Sequence, residues 1–167
     1  MLNSCRNGLA QSSVFVDTPG FGGNGHPSSP SVGGGYCLRD GNFGSRTAEY
    51  DYEPGLGIRP NKHCLARGFA ENDTERRLAG AKVNTTEIQM ILSQPDYNSF
   101  SDMLQAGPAT VIPEWINGDF GQYTAPNDPL FFLHLTQLIG SGGHGSTRWI
   151  LSVLTNILDI SDTISTL

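Results

Sequence analysis

The sequence predicts a mainly helical fold with long glycine- and proline-rich loops. Three observations carry that expectation. Capped segments with apolar residues at helical spacing recur after residue 70, whereas residues 1–70 look irregular. Glycine (21) and proline (10) are abundant among the 167 residues. Hydrophobic residues reach only 37% and charged ones 16%, so the core is expected to be small for the length.

Taken in order, Ser12 to Asp17 reads as a short strand around Val14, Phe15 and Val16. Residues 18–35 hold seven glycines and three prolines, which predicts a long loop. Asn84 stands three residues before Glu87, the spacing of a capping box, and Ile88, Ile91 and Leu92 follow on one face of a first helix. Pro95 suits the first turn of a second helix, with Tyr97, Phe100, Met103 and Leu104 on its buried side. Gly107-Pro108 ends it, and residues 109–125 read as loop or broken helix. Asp128 can cap a third helix whose first position takes Pro129, a residue with no N–H to leave unsatisfied. The run from Leu130 to Leu135 is apolar nearly all round, so that helix is expected to be central, with Phe131, Phe132 and Leu135 mostly buried. Residues 147–158, TRWILSVLTNIL, form a last helix beyond a glycine-rich break.

Composition excludes several functions. The formal net charge is −6, and ten basic residues without a run of them argue against a nucleic-acid surface. No apolar stretch reaches the length of a membrane span, so no membrane partner is expected. The first 17 residues lack an apolar region behind a basic start, so no signal peptide is expected on this chain. That leaves a cytosolic product or a chain whose true start lies elsewhere, and the location stays open.

Four short patterns carry possible chemistry. Gly20-x-Gly22-x-x-Gly25 has dinucleotide-fingerprint spacing, but His26-Pro27-Ser28-Ser29-Pro30 follows where a helix N-terminus would have to hold the pyrophosphate. A glycine-rich loop accounts for it better. Asn72-Asp73-Thr74 and Asn84-Thr85-Thr86 are glycosylation sequons, relevant only on the secretory path. Cys37 and Cys64 either pair or stay as two buried thiols, and Cys5 is left over. The four histidines, His26, His63, His134 and His144, include no pair at helical i, i+3 or i, i+4 spacing.

The third helix carries the most specific signal. The segment from Asn127 to His134 resembles the second copper half-site of tyrosinases, catechol oxidases and molluscan haemocyanins. Ile116-Asn117-Gly118-Asp119-Phe120 is similar to the family's "IGGDF" segment. Three blocks upstream resemble fungal tyrosinase-like enzymes in the same order: Gly20 to Gly25, Tyr36 to Gly41, and His63 to Phe69. The resemblance covers residues 14–138 and implies a partial tyrosinase-like helix bundle. On this reading residues 1–13 are a tail and 139–167 a divergent loop and helix.

The resemblance also implies chemistry. The family oxidises phenols or catechols with dioxygen at two copper ions, each held by three neutral imidazoles. Six ligands are needed and the chain has four histidines. The family's second-site ligand positions fall on Ala109, Pro113 and Leu135, none of which offers a lone pair. His134 matches the neighbour of a ligand and is the nearest candidate. A two-histidine copper site made by His134 and His144 would rest on a glycine loop. The expectation is a ligand-deficient member that binds no copper and is inactive alone, its first-copper-site half being absent. The rivals are a non-catalytic module that binds phenolic molecules or a partner, and the product of a faulty gene model.

Overall fold

The structure, a computed structural model, describes residues 10, 12–70 and 80–142. The expectations for Cys5, the Asn72 sequon, His144, the helix at 147–158 and most of the 1–13 tail lie outside the described residues.

The predicted strand at Ser12–Asp17 is instead a single 3-10 turn, Ser13–Phe15. Ser12 decides this locally, because its Oγ accepts from Val14 N and its carbonyl from Phe15 N (2.9 Å). A serine that caps the backbone in this way competes with pairing to a strand. The loop that follows is irregular, as expected. Gly22 lies at φ +82°, where a Cβ would strike the Asp40 carbonyl, and a Cβ on Gly25 would strike that of Tyr36. Close backbone approach accounts for these glycines.

The expectation of a mainly helical fold is overturned by the segment between residues 36 and 67. Strand β1 (Tyr36–Cys37) pairs antiparallel with β4 (Ala66–Arg67). Strands β2 (Thr47–Glu53) and β3 (Gly57–Cys64) form an antiparallel hairpin, with Ala48 opposite His63 and Tyr52 opposite Ile58. The fold is therefore mixed, strands before helices. Most side chains of the hairpin are exposed on both faces, so no alternation of apolar and polar residues marks it in the sequence. The available signal was Pro54-Gly55 between tyrosine-rich and isoleucine-bearing arms. A disulfide joins Cys37 to Cys64, with Cα atoms 5.4 Å apart, and ties β1 to the end of the hairpin.

The helices follow. In α1 (Thr85–Leu92) the Asn84 Oδ1 accepts from Glu87 N at 3.0 Å, and Ile88 and Ile91 are buried. In α2 (Tyr97–Leu104) the cap is Asp96, whose carboxylate accepts from Ser99 N (3.0 Å) and Ser99 Oγ (2.8 Å). The buried side expected for this helix is weaker than predicted: no residue in it is fully buried, and Tyr97 is exposed. The helix runs into a wide turn, Gln105–Ala109, broken at Gly107, and then into α3 (Thr110–Ile116). Two 3-10 turns, Gly118–Gly121 and Ala125–Asn127, lead to α4 (Leu130–Gly142).

One core joins these parts. Phe15, Phe69, Val83, Ile112, Trp115, Ile116, Phe120 and Leu130 cluster together. The Phe69 ring stacks on Trp115 at 4.6 Å and meets Phe15 edge-on at 4.9 Å. Gly68 N and Ala70 N donate to the Ile116 and Trp115 carbonyls (3.0 and 2.9 Å), which seats the exit of β4 against α3.

Candidate functional site

The positions where the resemblance implies copper ligands lie on α3, the turn before it, and α4. Ala109 closes the Gln105–Ala109 turn, and Pro113 sits inside α3. The Ala109 carbonyl interacts with the His134 imidazole. The ring also meets Phe120 edge-on, with centroids 5.7 Å apart. Its Nε2 is buried and has no hydrogen-bond partner. Burial lowers the His134 pKa to about 4, with the Ala109 carbonyl opposing the shift, so the ring is neutral near pH 7.

His134 borders an apolar cleft, partly open to solvent, that Val14, Phe15, Ile112, Phe120 and Leu133 also line. The expectation that α4 is buried all round fails. Leu130 is buried and Phe131 partly so, but Phe132 is 59% exposed and Leu135 40%. One face of α4 packs on the core while Phe132, Leu135 and Ile139 stand on the other. Leu135 thus leaves the space beside His134 unfilled instead of occupying it.

The described histidines that could donate to copper stand in different surroundings. His26 is exposed in the glycine-rich loop, where its Nδ1 lies 2.8 Å from Ser28 Oγ. His63 is committed elsewhere, and His144 lies outside the described residues. Among the described residues, no group of three or more His, Cys, Asp or Glu side chains converges where a metal ion could sit. Nor is any helix among them long and apolar enough to cross a membrane.

Two buried polar clusters hold the site's elements together. Arg67 donates from Nε and Nη2 to the two carboxylate oxygens of Asp128, at 2.7 and 3.0 Å. Its Nη1 reaches the carbonyls of Phe21 and Gly22, at 3.0 and 2.7 Å. Asp128 Oδ1 also accepts from Leu130 N at 2.9 Å, so the predicted cap of α4 is present and carries a second load. In the other cluster His63 sits between two acceptors. Its Nδ1 lies 2.6 Å from the Asn61 carbonyl and its Nε2 2.9 Å from Asp119 Oδ1. Asp119 further accepts from Ala66 N (2.8 Å) and Asn127 Nδ2 (3.0 Å). Burial pushes the His63 imidazole down. The Asn61 carbonyl and the Asp119 carboxylate, with Asp51 farther off, outweigh burial and hold its pKa above the ordinary value.

Neither Arg67 nor Asp119 was singled out from the sequence for a role of its own. They stand inside the blocks His63 to Phe69 and Ile116 to Phe120, where a charge among apolar and small residues was the available sign.

Comparison with known proteins finds a matching family and several relatives. The chain matches the family described as the common central domain of tyrosinase over residues 3–138. It is 34% identical over 139 residues to the tyrosinase-like protein phomQ1 of Diaporthe leptostromiformis, which covers 75% of this chain and 34% of that protein. It is 36% identical over 132 residues to the tyrosinase ustQ of Aspergillus flavus, covering 78% and 35% respectively. The chain spans about a third of the length of these curated relatives. No solved structure matches it.

Proposed function

The chain belongs to the tyrosinase family, and we propose that it is a ligand-deficient member that does not by itself oxidise phenols or catechols. The observation that carries this reading is the chemistry at three positions. By the family resemblance, Ala109, Pro113 and Leu135 take the places of the imidazoles of the second copper. A methyl, a pyrrolidine ring and an isobutyl group have no lone pair to donate to copper. The neighbouring imidazole, His134, is a single donor held among apolar side chains. Pro113 adds a backbone objection, because a helix interior that should carry ligands one turn apart loses a hydrogen bond there.

The test is to load the purified full chain with copper(I), dialyse it in air, and measure bound copper together with quinone formation. Bound copper should stay below two ions per chain. A monophenol and a catechol should yield quinone only at the rate of free copper. Two tightly held coppers, or turnover above that background, would overturn the reading.

A second reading is favoured by the cleft beside His134. Apolar walls with one unpartnered, neutral imidazole nitrogen suit a phenol-sized molecule that presents a hydroxyl. On that reading the domain binds such a ligand without transforming it. Calorimetric titration with a simple phenol should show binding that His134→Leu weakens. Equal affinity in parent and variant would remove this second reading while leaving the first intact.

A further inference from the structure

We infer that Asn84 is an acceptor for an N-linked glycan. The tripeptide Asn84-Thr85-Thr86 meets the sequence requirement, asparagine followed two residues later by threonine with no proline between. Such a tripeptide is common by chance, so the weight falls on two structural observations.

The first concerns the compartment. Cys37 and Cys64 are bridged. Disulfides persist where the surroundings are oxidising, and the secretory path, where asparagine is glycosylated, is such a place. The second concerns the acceptor. Asn84 is exposed, and so is Thr86. The Asn84 side chain makes two bonds at the start of α1: Oδ1 accepts from Glu87 N at 3.0 Å, and Nδ2 donates to the Ala81 carbonyl at 2.9 Å. Glycosylation replaces one of the two Nδ2 hydrogens. Oδ1 is untouched, so the bond it accepts from Glu87 N, which caps α1, survives the modification.

The transfer balances without a redox partner. A C–N bond forms between Nδ2 and the anomeric carbon of an oligosaccharide carried on a lipid pyrophosphate. The bond from that carbon to the pyrophosphate oxygen breaks, the pyrophosphate leaves with the electron pair, and Nδ2 releases one proton. The reaction belongs to a host transferase acting on the chain as it enters the lumen.

The experiment expresses the full chain behind a secretion leader in yeast, with Asn72→Gln as background so that the other sequon is silent. Mass is read before and after endoglycosidase treatment. Asn72→Gln should show a single endoglycosidase-sensitive step in mass. Adding Thr86→Ala should abolish the step, because it destroys the sequon while leaving the Asn84 cap in place. Adding Thr86→Ser, which keeps the sequon, should retain it. A chain that shows no step in the Asn72→Gln background overturns the inference, and so does a step that survives Thr86→Ala.

Discussion

Arg67 and Asp128, 61 residues apart in the chain, close a two-bonded ion pair in which neither side chain is exposed to solvent. Through it β4, the glycine-rich loop at Phe21–Gly22 and the start of α4 meet at one point. A charge buried with a partner is tolerable, but one buried without a partner is costly. Asp128→Ala should therefore destabilise the fold by about 3–5 kcal/mol, well above the roughly 1 kcal/mol that loss of a helix cap alone would cost. Denaturant unfolding of parent and variant reads the difference. A loss near 1 kcal/mol would mean that Arg67 finds water or another partner.

Two histidines should shape stability against pH from opposite sides. The native pKa of His63 is raised above 6.5, so its contribution is complete below about pH 6.5 and is lost as pH rises through the native value. The native pKa of His134 is lowered to about 4. Its contribution is complete above about pH 6.5 and falls as pH drops from there toward 4. The two effects together place a maximum near pH 6.5. Urea unfolding between pH 5 and 8.5 should show that His63→Gln flattens the alkaline limb and His134→Leu the acid limb. An unchanged alkaline slope in His63→Gln would show that the ring is not protonated between Asn61 and Asp119.

Exposure separates two apolar residues that the sequence alone would rank alike. Ile112 is buried in the core, whereas Leu135 is 40% exposed. Ile112→Ala should cost about 2–5 kcal/mol, and Leu135→Ala only about 0.5–1 kcal/mol. Unfolding free energies of the two variants give the comparison. A Leu135→Ala loss as large as that of Ile112→Ala would place Leu135 in a packed interior.

The disulfide should contribute through the unfolded chain. Cys37 and Cys64 are 27 residues apart, and a closed loop of that size is worth about 3.5 kcal/mol in the chain-entropy picture. Replacing both cysteines with alanine should lower stability by about that amount under non-reducing conditions. The parent treated with reductant should match the double variant. If reductant leaves the parent's unfolding midpoint where it was, the bridge contributes nothing.

Much of the helical half was legible from residues close in the chain. Asn84 caps α1 and Asp128 caps α4, because a side-chain oxygen three residues or fewer from a free N–H needs no distant partner to find it. The same locality explains why the glycine pattern at 20–25 could be read as a loop from the prolines behind it. That Ala109, Pro113 and Leu135 carry no lone pair is evident from their identity, while their correspondence to copper ligands rests on the family resemblance.

Other features depend on chain segments that meet only in space. The β2–β3 hairpin buries few of its side chains, so its backbone pairing left no apolar rhythm to detect. Arg67 and Asp119 become supporting residues only when partners 61 and 56 positions away in sequence arrive beside them. The run from Leu130 to Leu135 fixed that an apolar helix would form there. Which of its faces turns inward was set by Phe120, Ile112 and the cleft beside His134, because burial is a property of what packs against a side chain and not of the side chain itself.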